Sequence, residues 1–277
     1  MRTASPTVEA SIRRADCLLV KELMNHSYPS LYAGELATKA RAALRNRDLR
    51  VLPIIDEKKR LVGTLSHRNI MTVTSSISPI HNKGIMTIPL FVATMDMDAL
   101  QALREMNRLD KWYIAVVKTS QDKTYMGMLG LENFIAAFLK KESPKLSAPV
   151  FEIMSRKIVT CSPEDEIDNV WRGMLERKFS SCPIVRKKRL MGIVTQADML
   201  DSGSFFPAFE AKKGRFKKSS KVSSVMKTSV FSLKPTTTVR EAAELLLKKN
   251  VGQLPVVDEK GELVGIVDRE DVVKSLV

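Results

Sequence analysis

The chain has 277 residues, of which 44% are hydrophobic and 27% charged. That balance excludes a disordered chain and leaves room for one large domain or two ordinary ones. The net charge is +14, from 45 Lys+Arg against 31 Asp+Glu, and favours anionic partners such as nucleotides or nucleic acid.

The basic excess is spread evenly. Residues 1–140 carry 20 basic and 13 acidic side chains, and residues 141–277 carry 25 and 18, so neither half is a basic tail. No stretch nears the roughly 20 apolar residues of a membrane span. The opening MRTASPTVEASIRRAD has no apolar core of a signal peptide. The expectation is a cytoplasmic protein without membrane contact. Cys17, Cys161 and Cys182 form no CxxC pair, and His26, His67 and His81 are scattered, so no metal site is expected. The HExxH and GxxxxGK motifs are absent.

Four copies of one unit follow each other along the chain. They start at Met24, Met86, Met154 and Met226, so successive starts lie 62, 68 and 72 residues apart. Pro53, Pro183 and Pro255 each stand 29 residues after their methionine, and Ala115 holds that place in unit 2. A glycine then follows at 10, 12, 9 and 10 residues, as Gly63, Gly127, Gly192 and Gly265.

Each unit predicts the order β-α-β-β-α. In unit 3 a β-rich segment, Ile158–Thr160, leads to a helix begun by Ser162-Pro163, with Ile167, Val170, Trp171, Met174 and Leu175 on one stripe. In unit 4 the lead is Val230–Ser232. Thr238 then caps a helix, with Glu241 three residues on and Val239, Ala242, Ala243 and Leu246 on one face. The strand Leu254–Val257, a turn Asp258–Gly261 and a second strand ending at Gly265-Ile266-Val267 complete the unit before a short closing helix. One such unit has a thin core and a bare sheet face, so it should pair with a neighbour.

The LPVVD-type strand and the Gly-h-h-Ser/Thr-x-x-Asp/Asn segment resemble the CBS domain family. The resemblance covers about residues 17–277 and is weaker in unit 2. It implies an α/β (α+β) fold of four βαββα CBS repeats, at 17–75, 80–141, 147–202 and 222–277, with a basic linker at 203–221. Repeats 1–2 and 3–4 would pair into two Bateman modules. The clefts between paired repeats would bind an adenosine-containing ligand, such as AMP, ADP, ATP or S-adenosylmethionine. No catalytic domain is expected, so the chain resembles stand-alone sensor proteins such as the gamma subunit of AMP-activated protein kinase. A homodimer and a protein target are expected partners.

In unit 3, Gly192-Ile193-Val194-Thr195-Gln196-Ala197-Asp198 offers a hydroxyl for phosphate at Thr195 and a carboxylate for a ribose diol at Asp198. Adenine would meet backbone groups at Ile158 to Thr160 and at Pro183. Ser/Thr-x-x-Asp is equally a helix capping box, so binding and capping both stand at this point. In unit 1 the matching residues are Ser66, Arg68 and Asn69. The resemblance places Arg68 and Arg50 near phosphate; both also read as solvated arginines. Unit 2 has Gly130 in place of the hydroxyl, which predicts an empty or altered half-site. Unit 4 has Asp268 there, followed by Asp271. A carboxylate 4 Å from a phosphate charge costs about 4 kcal/mol at an effective dielectric of 20. Asp271 therefore belongs to a structural cap, or to a ligand without phosphate at that point.

Residues 212–221 contain six basic side chains, and four Phe lie within 201–221. This stretch reads either as a solvated connector or as a nucleic-acid contact. A nucleic-acid-binding regulatory protein is the alternative function. Trp112, Trp171 and the 14 methionines read as core.

Overall fold

The structure is a computed structural model that describes residues 18–46, 49–70, 78–177, 179–201 and 220–277. The basic stretch at 212–219 lies outside the described residues.

Unit 1 comprises β1 (Leu31–Tyr32), α2 (Ala37–Asn46), β2 (Val51–Ile55), β3 (Leu61–Ser66) and α3 (His67–Ile70), preceded by α1 (Val20–Leu23). Unit 2 comprises β4 (Ala93–Thr94), α4 (Ala99–Arg108), β5 (Tyr113–Val117), β6 (Tyr125–Gly130) and α5 (Leu131–Leu139). In both units the short first strand runs parallel to the second, which pairs antiparallel with the third. Unit 3 has α6 (Ile167–Arg177), β7 (Ser181–Arg186), β8 (Arg189–Thr195) and α7 (Gln196–Asp201). Unit 4 has α8 (Val239–Lys248), β9 (Gln253–Val257), β10 (Leu263–Asp268) and α9 (Arg269–Leu276).

The expected leads of units 3 and 4 differ from regular strands. Only single parallel bridges form there, Cys161 to Ile184 and Leu233 to Val256, each one residue past the segment expected to be β. Residues 158–160 and 230–232 run between two sheets and so join neither ladder. The helices follow the expected stripes. Thr238 Oγ1 accepts from Glu241 N while Glu241 returns a bond to Thr238 N, and Val239, Ala242, Ala243 and Leu246 are buried. Ile167, Val170, Trp171 and Met174 fill the core of unit 3.

Units pair by exchanging their leads. The lead of unit 1 bonds β6 of unit 2 through Asn25 and Met128, and then returns to its own sheet at Leu31. The lead of unit 2 bonds β3 of unit 1 through Thr64 and Thr87. Units 3 and 4 repeat the exchange through Ser155 with Ile266 and Lys227 with Ile193. This explains the recurring glycine. A Cβ on Gly192 would sit 2.7 Å from the Lys227 carbonyl oxygen. Gly127 has φ +153°, and a Cβ there would strike the Asn25 carbonyl. Backbone crosses backbone at these points, and only glycine leaves the room.

Helices join the two modules. In units 2 and 4, α5 packs on α8 and α9, and one continuous core holds Leu103, Phe134, Ile135, Leu246, Leu254 and Val272. In units 1 and 3, α7 packs on α2 and α3, where Arg45 Nε pairs with Asp201 Oδ1 at 3.0 Å.

Candidate functional site

A lead that crosses to the neighbouring unit leaves a cleft beside the strand it bonds. Between units 3 and 4 this cleft holds a solvent-open cavity of about 220 Å³. Leu190, Met191 and Gly192 of β8 form one wall, and Thr228, Val230 and Ser232 of the unit 4 lead form another. Val257 and Gly261 close the outer end.

Thr195 and Asp198 stand where β8 passes into α7, three and six residues beyond Gly192. Thr195 N and Oγ1 both donate to Asp198 Oδ2, at 2.9 and 2.7 Å, and Asp198 N donates to Thr195 Oγ1 at 3.1 Å. This is a complete capping box. Asp198 Oδ1 additionally pairs with Lys227 Nζ at 2.8 Å. The carboxylate side chain is 6% exposed and the lysine 69%, so the cation is the half that faces solvent. Lys227 bonds Ile193 through its backbone and directly precedes Thr228 of the cavity wall, while Thr195, Asp198 and Lys227 themselves do not line the cavity.

The ten residues expected to bind ligand fall into separate places. Ile158 and Thr160 belong to a lead that starts at Ser155 against β10 of unit 4 and ends at Cys161 against β7. The lead that reaches Asp198 is residues 227–232 instead. Ile158 and Thr160 therefore sit with Pro183, whose carbonyl accepts from Cys161 N at 3.1 Å, and run toward the unit 4 acids. Local sequence cannot show this exchange, although Lys227 and Thr228 hold fixed places one and two residues after Met226.

In unit 1, Ser66 Oγ donates to Asn69 Oδ1 at 2.8 Å, and Asn69 Nδ2 donates to Thr87 Oγ1 and the Ile85 carbonyl at 3.0 Å. Thr87 is thus the neutral counterpart of Lys227. Arg68 Nη2 donates to the Leu175 carbonyl of unit 3 at 2.5 Å, and Arg50 Nη2 donates to the Asn250 carbonyl of unit 4 at 3.4 Å. Both arginines span units in this structure.

In unit 4, Asp268 Oδ1 accepts from Glu270 N and Asp271 N, and Asp271 Oδ2 accepts from Asp268 N. Burial, and then the neighbouring Asp268, push the Asp271 carboxyl up to about 7. Glu270 adds to the repulsion and Lys274 relieves it. The folded state therefore holds a proton that the unfolded chain loses near pH 3.8, and stability falls as pH rises from about 4 to 7. Asp271→Asn keeps an acceptor and removes the charge. Melting temperatures measured between pH 5 and 8 should fall less steeply for this variant than for the wild type, with the variant the more stable at pH 8.

A CBS domain signature matches residues 20–76, 83–140, 150–204 and 222–277. This chain belongs to the CBS domain family. Its paired CBS repeats are Bateman modules, and MJ1225 of Methanocaldococcus jannaschii shares the whole arrangement, with a TM-score of 0.82 at 19% identity over 94% of this chain and 100% of that one. MJ1225 is proposed to be an archaeal homologue of the gamma subunit of AMP-activated protein kinase. By sequence, MJ1426 of the same organism is 31% identical over 46% of this chain and 89% of its own length. Inosine-5'-monophosphate dehydrogenase of Korarchaeum cryptofilum is 32% identical over 42% of this chain, but that is 22% of the dehydrogenase. Among the described residues no helix is long and apolar enough to cross a membrane, and no three His, Cys, Asp or Glu residues are grouped to hold a metal.

Proposed function

We propose that this chain is a non-enzymatic cytoplasmic sensor that takes an adenosine-containing ligand, AMP, ADP, ATP or S-adenosylmethionine, into the cleft between CBS repeats 3 and 4. The observation that carries this reading is a buried carboxylate, Asp198, paired with an exposed lysine that directly precedes Thr228 in the wall of a cavity of about 220 Å³. Thr195 and Asp198 form one wall of a nucleoside subsite: the carboxylate accepts from the ribose hydroxyls when Lys227 lets go of Oδ1, and the released ammonium turns to a phosphate. The base stacks among Val230, Met191 and Leu190. The lead that carries Lys227 is bonded to repeat 3 and belongs to repeat 4, so occupancy shifts how the repeats sit against each other, and a protein target or a second copy reads the change.

Titration calorimetry of the whole chain with AMP, ADP, ATP and S-adenosylmethionine tests this. Saturable binding of at least one is expected, with a salt dependence far weaker than a polyanion would show. Failure of all four to bind, or steady hydrolysis of ATP by the pure protein, would overturn it.

A further inference from the structure

The two modules are built on one plan, so their clefts can be compared residue by residue. Val230 lines the open cavity and stands four residues after Met226. The same offset gives Tyr28 in repeat 1, Leu90 in repeat 2 and Ile158 in repeat 3. Leu190 lines the opposite wall two residues before Gly192, and its counterpart before Gly127 is Tyr125. In the first module the cleft between the repeat 1 lead and β6 thus has tyrosine on both walls.

Both tyrosines are half-buried and hydrogen-bonded. Tyr28 donates its hydroxyl to the Val51 carbonyl at 2.7 Å, and Tyr125 donates to the Tyr28 carbonyl at 3.2 Å. Val51 pairs with Ser66 at the end of the β2–β3 ladder, so the Tyr28 phenol reaches from the repeat 1 lead to the first residue of β2. Burial raises both phenols above the ordinary tyrosine range, with Tyr113 and Glu132 the next neighbours felt by Tyr28. The lead of repeat 2 behaves oppositely: Leu90 is 84% exposed. The β6 strand that carries Tyr125 is also the one whose motif has Gly130 in place of the hydroxyl.

We infer that Tyr28 and Tyr125 are built-in occupants of the cleft between repeat 1 and β6, so that the first module holds its own aromatic rings where the second keeps a cavity for ligand. This rests on the adenosine reading of the second cleft. That one cleft of the first module is then locked in its filled state, and the cleft between β8 and the repeat 4 lead is the responsive one.

Two measurements decide it. Photolabelling of the wild type with 8-azidoadenosine should mark peptides from 189–195 or 227–233 and leave 25–32 unmarked; label on 25–32 overturns the inference. Tyr28→Val with Tyr125→Leu installs the residues of the open cleft, and equilibrium dialysis should then count one more bound adenosine per chain. Tyr28→Leu, the residue of repeat 2, serves if the double variant does not fold. A folded variant with an unchanged count sinks the inference and leaves the proposed function standing. A wild type that binds no adenosine beside a variant that binds one sinks the proposed site and upholds the inference. A folded variant that binds none sinks it also.

Discussion

Arg269→Ala should lower the free energy of unfolding by about 3–5 kcal/mol, the usual cost of breaking a buried ion pair by removing one partner. Arg269 opens α9 of repeat 4 and is 1% exposed. Its Nη1 donates to Glu132 Oε2 at 2.9 Å and to the Tyr113 hydroxyl at 2.8 Å, both in repeat 2. Nη2 donates to Asn250 Oδ1 at 3.0 Å and Nε to the Val251 carbonyl at 3.2 Å. Beside it, Trp112 Nε1 of repeat 2 donates to Glu270 Oε2 at 3.3 Å. Alanine would leave the Glu132 carboxylate without its cation and remove the bonds to Asn250 Oδ1 and the Val251 carbonyl, at the junction of the two modules. Arg269→Met with Glu132→Leu removes both charges and refills the volume, so it should recover most of the loss. Urea unfolding followed by circular dichroism checks both variants. Equal losses for the single and the double would show that packing, rather than the stranded charge, sets the cost.

Asp198→Ala should weaken adenosine-ligand binding by about 30- to 100-fold, which corresponds to about 2–3 kcal/mol. It should also lower stability by about 1 kcal/mol, since alanine ends the capping box with Thr195. The two roles separate in Asp198→Asn. Its amide oxygen still accepts from Thr195 N, so the melting temperature should stay near that of the wild type. The charge that attracts Lys227 and strengthens a ribose contact is gone, so affinity should fall about tenfold. Calorimetry and thermal melts on the same samples give both readouts. Unchanged affinity with a lowered melting temperature in Asp198→Ala would assign the motif to capping alone.

The capping and binding readings of Thr195 and Asp198 were both open from sequence because the same three-residue spacing serves either. The structure completes the cap and adds a third partner, Lys227, from a unit 29 residues further along. That partner has no local signal. Arg68 and Arg50 show the same limit: each stands where the family resemblance implies a phosphate contact, and each reaches a carbonyl of another repeat, 107 and 200 residues away.

The fourfold unit, the helix stripes, the missing hydroxyl at Gly130 and the β-α-β-β-α order, met in full in units 1 and 2 only, were legible in the sequence. These depend on local propensity, on period and on spacings that recur within about 60 residues, and all are written along one strand or one helix. Tertiary packing alone sets which lead faces which acid, ties the Tyr28 and Tyr125 hydroxyls to the Val51 and Tyr28 carbonyls, and makes Arg269 the latch between repeats 2 and 4. The physical reason is that a lead is extended and bonds to whichever sheet lies beside it. Its partner is chosen by how whole repeats pack, and the order of residues along the chain holds no trace of that choice.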